Sequence, residues 1–127
     1  MASPNVRYIV NNVEEAVAFY TRHLGFEVLF QPGPGFAILA LGDSRVAINE
    51  VGGPGGASQK MPDGRSPEPG GWNRMIIEVD DIEKRVRELR AAGVALRSPV
   101  IAGIGGKLAL VEDPSSNLIE LFEPARA

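Results

Sequence analysis

The side chains in this sequence that could do chemistry are mostly arginines and carboxylates. The 127 residues include no cysteine and one histidine, His23. That excludes disulfides, thiolate catalysis and Cys-based metal sites. A multi-histidine metal centre cannot be assembled within one subunit. What remains are the arginines, the Asp and Glu carboxylates, and the single tryptophan, Trp72, two residues before Arg74. These groups suit two kinds of work. Arginine can hold an anionic or carbonyl-bearing molecule while an aromatic ring stacks beside it. A carboxylate such as Glu50 or Glu120 can serve as a general base. Two other signals are weaker. Gly103-Ile104-Gly105-Gly106-Lys107 has a phosphate-loop look, but it lacks the required spacing and has Leu108 where Ser or Thr is needed. His23 falls at the end of a helix, where the helix dipole favours it.

Composition narrows the partners. The net charge is −3, and basic residues are scattered among acidic ones. No basic face is offered to nucleic acid. No apolar run reaches membrane-spanning length, and no basic segment followed by an apolar core marks a signal peptide. These features fit a cytoplasmic location. The length fits one domain over residues 1–127.

The elements follow from periodicity. Residues 5–10 alternate as a strand. Asn12, with Glu15 three residues on, forms a capping-box start to a helix. Its stripe is Val13, Ala16, Val17, Tyr20 and Leu24, and Gly25 stops it. Strands follow at 26–30, 36–41 and 45–50. Residues 51–71 contain seven glycines and four prolines and have no apolar period, so they read as a connector or as a lid over a ligand. The same order then returns. A strand covers 72–79. Asp80 or Asp81 caps a helix with Ile82, Val86 and Leu89 buried, and Gly93 ends it. Further strands are expected at 94–97, 107–111 and 118–123. The halves carry a repeat: Val79-Asp80-Asp81-Ile82-Glu83 aligns with Val10-Asn11-Asn12-Val13-Glu14, 69 residues earlier. The chain therefore reads as module one, 4–50, the connector 51–71, and module two, 72–124.

These motifs resemble a known family. Val10 to Tyr20 followed by Leu24-Gly25-Phe26 is similar to the first-half signature of the vicinal oxygen chelate superfamily. That group includes glyoxalase I, bleomycin-resistance proteins, fosfomycin-resistance enzymes and extradiol dioxygenases. Glu78-Val79-Asp80-Asp81 resembles its second-half signature. Asp113-Pro114-Ser115-Ser116-Asn117-Leu118-Ile119-Glu120 through Pro124 resembles its closing motif, with Ser116 where glycine is usual. The resemblance implies an α+β fold of two βαβββ modules whose curled mixed sheets surround a cavity, and it implies a homodimer. Metal-dependent members place their ligands on the first and last strands of each module. By the resemblance those positions are Asn5, Ile48, Arg74 and Glu120. Only Glu120 is of ligand type, with Glu50 as a nearby substitute, so no metal or other cofactor is expected. A divalent metal is the alternative.

If the ligand positions point inward, strand alternation extends the cavity face. It then comprises Asn5, Arg7 and Ile9; Val46, Ile48 and Glu50; Trp72, Arg74, Ile76 and Glu78; and Leu118, Glu120 and Phe122. The opposite faces, such as Val6, Tyr8 and Val10, are apolar and suit packing under helices. Two readings of Arg74 and Glu120 stay open: an ion pair filling a vacated metal site, or an anchor that opens to a ligand. The expectation is a metal-free protein that sequesters an aromatic or polycyclic compound. The rival is an enzyme of the same superfamily, a lyase, isomerase or dioxygenase, either metal-dependent or using Glu120 or Glu50 as a general base. A third possibility is a protein-interaction module that offers its open sheet to a partner.

Overall fold

A computed structural model describes residues 4–126. The chain divides into two compact units, Met1–Gly70 and Gly71–Ala127. Each is a βαβββ unit, as the repeat predicts. The first runs β1 (Val6–Val10), α1 (Val13–Leu24), β2 (Glu27–Gly33), β3 (Phe36–Leu41) and β4 (Ser44–Glu50). The second runs β5 (Arg74–Glu78), α2 (Ile82–Ala91), β6 (Ile101–Ala102), β7 (Gly106–Glu112) and β8 (Leu118–Pro124). The sheet orders are β1-β4-β3-β2 and β5-β8-β7-β6. In each, the first and last strands pair in parallel and the rest are antiparallel.

Helix α1 forms where its capping residues predict. Asn12 is extended and its side chain accepts from the Glu15 N–H at 2.8 Å. Gly25 takes the left-handed conformation, φ 76°, which a side chain would strain. The helix buries Val13, Ala16, Phe19, Tyr20 and Leu24 on the sheet. Tyr20 is fully buried and meets Tyr8, Phe19 and Phe26 edge-to-face, with centroids at 6.2, 5.2 and 5.4 Å. Such contacts are each worth about 0.5–1.5 kcal/mol beyond the burial itself. Helix α2 is capped by Asp81, whose carboxylate accepts from the Lys84 N–H at 3.1 Å. It buries Ile82, Val86 and Leu89.

Three segments differ from the expectation, and β5 is the first: it begins at Arg74, so Trp72, expected at the start of that strand, lies before it. The strand expected at 94–97 is reduced to one bridge, Leu96 to Val111, flanked by hydrogen bonds between Arg97 and Leu110 and between Glu112 and Ala95. Pairing lapses at Ser98-Pro99, where the Ser98 hydroxyl accepts the Leu110 N–H and proline has no N–H to give. It resumes at β6. The connector is also more ordered than its composition suggests. Val51 N–H donates to Val10 O, and Gly52 N–H to Ser58 O. A single 3-10 turn spans Gly56–Ser58. Gly35 is needed here, because a Cβ on it would lie 2.6 Å from Pro54 Cδ. The first part of the connector thus packs on its own unit.

Candidate functional site

In the first unit the parallel register pairs Arg7 with Ala47, Tyr8 with Ile48 and Ile9 with Asn49. Tyr8 faces α1, so Ile48 faces α1 with it and is fully buried. The alternate positions, Arg7, Ala47 and Asn49, share the other face. Phe36 of β3 joins them, because it pairs with Asn49. This face and the connector border a cavity of about 390 Å³ that is open to solvent. It is lined by Arg7, which is exposed, by Asn49 and Phe36, and by Pro32, Pro54 and residues 55–57. Asn49 is buried, and its side-chain oxygen accepts from Arg7 Nη1.

This corrects the reading of β4. Ile48 belongs to the core and not to the cavity face. Glu50 shares the Ile48 face, and its carboxylate accepts from the Val13 N–H at 3.1 Å, at the start of α1. Asn5 stands exposed just before β1, outside the residues that line the cavity. The physical reason is alternation: moving the register by one residue turns every side chain to the other face. The apolar pattern of β4 already carries this signal, since Val46 and Ile48 match Val6, Tyr8 and Val10, whereas Ala47 and Asn49 match Arg7. Asn49 was missed for that reason.

In the second unit, Arg74, Ile76 and Glu78 pair with Leu118, Glu120 and Phe122. These residues share one face of the sheet, as alternation predicts. Arg74 Nε and Nη2 both donate to one oxygen of Glu120, at 3.0 and 2.7 Å, and Nη1 donates to the Trp72 carbonyl at 3.2 Å. Glu120 is buried and Arg74 half-buried. The guanidinium is therefore engaged along both edges. Trp72 is 65% exposed and stacks on Arg97, whose Cζ lies 4.8 Å from the ring centroid. Arg97 also donates to the carbonyls of Gly71 and Ser116. Glu78 is exposed and Phe122 half-buried.

The metal pattern of the fold does not fit these residues. The register places Ala47, opposite Arg7, where the second unit has Glu120, opposite Ile76. The positions then hold Asn5, Ala47, Arg74 and Glu120, and the one carboxylate is bound by a guanidinium. Arginine is a fixed cation that repels a metal ion. A separate acidic group, Asp81, Glu83 and Glu123, brings its oxygens within 4.8 Å of one another. Each already has a structural partner. Asp81 caps α2, Glu123 accepts from the Ile82 N–H at 3.0 Å, and Glu83 pairs with Lys107 at 3.1 Å. The Glu83 carboxylate holds the Lys107 ammonium above its usual pKa.

Among the described residues no helix is long and apolar enough to cross a membrane. The chain is similar over 98% of its length to TnmS3, an antibiotic binding protein from Streptomyces sp. CB03234, with 26% identity, 99% of that chain covered and a TM-score of 0.68. It is 25% identical to TioX from Micromonospora sp. ML1, over 99% of this chain and 98% of that one, with a TM-score of 0.69. It shares the fold of a lactoylglutathione lyase from Agrobacterium tumefaciens at 16% identity, over 96% of this chain and 92% of that one, with a TM-score of 0.73. The family model of the Glyoxalase/Bleomycin resistance protein/Dioxygenase superfamily matches residues 4–121, and the chain belongs to that superfamily.

Proposed function

We propose that this protein binds a small aromatic molecule and sequesters it without turnover, as a homodimer of the bleomycin-resistance type. The observation that carries the reading is the cavity of the first unit. Its lining is largely apolar, with one cation and one buried amide, the usual composition of a small-molecule site. The likeness to TnmS3, whose description is antibiotic binding, supports the same class. Catalysis finds less support in the residues. Neither Glu50 nor Glu120 lines the cavity: Glu50 bonds the start of α1 and Glu120 bonds Arg74. A general base needs a free lone pair within reach of a substrate proton.

The test is a thermal-shift panel of aromatic compounds, including antibiotics, followed by recovery of each binder. Compounds that raise the melting temperature should be recovered chemically unchanged by liquid chromatography and mass spectrometry. A product that accumulates with time and protein concentration sinks the reading and makes the protein an enzyme.

A further inference from the structure

We infer that the cavity of the first unit selects a planar aromatic anion of one or two rings, with a carboxylate held by Arg7 and Asn49 acting as a positioning residue. The inference rests on the binding reading above and adds the ligand's charge, size and orientation.

Charge comes first. Among the described residues Arg7 is the only charged one lining the cavity, and no carboxylate lines it. Arg65, Arg74 and Arg97 are matched to acids: Asp63, Glu120 and Glu112. Arg7 has no such match among the described residues. Its partner, Asn49, is neutral and leaves the charge uncancelled. A ligand that covers Arg7 removes water from that charge, and an anionic group offsets the loss where a neutral group does not.

Geometry sets the recognition. Guanidinium carries five N–H donors in a planar fork. Asn49 takes one, from Nη1, and is buried between β1 and β3, where it pairs with Ile9 and Phe36. This contact fixes the guanidinium and leaves other donors for a carboxylate, whose two oxygens match the fork. Phe36 and the prolines then offer apolar surface to a ring. The volume of about 390 Å³ lies at the low end of ligand pockets, which span roughly 300–1,000 Å³. The pocket is open to solvent, so this volume measures the part of a ligand that it holds, one or two fused rings.

The experiment compares 2-naphthoate with its neutral isostere 2-naphthamide, titrated into the full chain and followed by amide NMR shifts and calorimetry. Naphthoate should bind about tenfold more tightly, as a charge-assisted hydrogen-bond pair implies, and should shift the amides of Arg7, Phe36 and Ala57. Arg7→Gln should abolish the preference while weaker binding of both probes remains. Asn49→Asp places a carboxylate on Arg7 and should also abolish the preference, without lowering affinity for naphthamide. Equal affinities of the wild-type protein for the two probes overturn the anion assignment but leave the binding reading intact. No shift at these residues with either probe at millimolar concentration overturns both.

Discussion

The carboxylate of Glu50, the last residue of β4, accepts a hydrogen bond from the backbone N–H of Val13, the first residue of α1, at 3.1 Å. The second unit repeats the device with Glu123 and Ile82 at 3.0 Å. The first N–H groups of a helix have no partner within it, and the helix dipole favours a negative charge there. The bond thus joins the end of the sheet to the start of the helix.

Glu50→Ala should therefore cost about 1–2 kcal/mol in urea denaturation, with ligand binding retained. Glu50→Gln keeps an acceptor and should cost less. Loss of binding or of an activity at unchanged stability would instead give Glu50 a direct role at a ligand.

Much of this arrangement was legible in the sequence. The repeat, both caps and the apolar faces of β1, β5 and β8 follow from alternation and residue type. The pairing of Arg74 with Glu120 follows from their shared face. The β4 face departs from the positions that the resemblance implies, because such positions carry no signal of a one-residue offset. The hydrophobic alternation of Val46 and Ile48 does. The folded part of the connector was hidden for another reason. Its order comes from backbone hydrogen bonds to Val10 and Glu50, and glycine-rich composition carries no trace of such partners.

The Arg74–Glu120 pair should behave as a coupled unit. Replacing Arg74 with Met leaves a buried carboxylate without its partner. The expected loss is about 2–3 kcal/mol, below the cost at a fully buried pair because Arg74 is partly exposed. The double change Arg74→Met with Glu120→Leu should recover most of it, since two apolar side chains remove the unpaired charge. A double-mutant cycle in urea checks this. If the two single losses simply add, the pair contributes no coupling.

Metal content should lie far below one ion per subunit when untagged protein, dialysed without chelator, is measured by elemental mass spectrometry. The expectation comes from the donor set, Asn5, Ala47, Arg74 and Glu120, which offers one carboxylate already bound to a guanidinium. EDTA should leave the melting temperature unchanged. Stoichiometric Zn, Fe, Ni or Mn would contradict the assignment of these positions and send the work to enzyme assays.

The connector's outer turn gives a pH-dependent signal. The side-chain hydrogen bond from Arg65, followed by its backbone N–H, holds the Asp63 carboxyl below its ordinary pKa of 3.8. A carboxyl lowered in the folded state favours folding above its unfolded pKa, and that effect fades as pH falls through the folded value. Asp63 is exposed, so its own titration is the observable. Arg65→Ala should move the NMR midpoint of Asp63 upward. An unmoved midpoint would show that the turn is not held by this pair in solution.

Ser116 is the one described non-glycine residue with a positive φ, 65°. It stands in the turn between β7 and β8, built around Asp113. The Asp113 carboxylate accepts from the N–H groups of Ser115 and Asn117 at 2.8 and 2.9 Å, and Ser116 N–H donates to the Asp113 carbonyl at 3.0 Å. Those bonds hold Ser116 in a conformation that costs an L-residue about 1–2 kcal/mol. Glycine removes that cost but adds about 0.5–1 kcal/mol of backbone entropy in the unfolded chain. Ser116→Gly should therefore stabilise the protein by about 0.5–1 kcal/mol. Ser115→Gly, at a position without positive φ, should destabilise it. The Ser116 carbonyl accepts from Arg97, which stacks on Trp72, so the fluorescence of this single tryptophan reports whether the turn has kept its shape. Stabilisation with an unchanged spectrum is the expected result. A loss of stability in Ser116→Gly would mean that the serine side chain contributes more than its strained backbone costs.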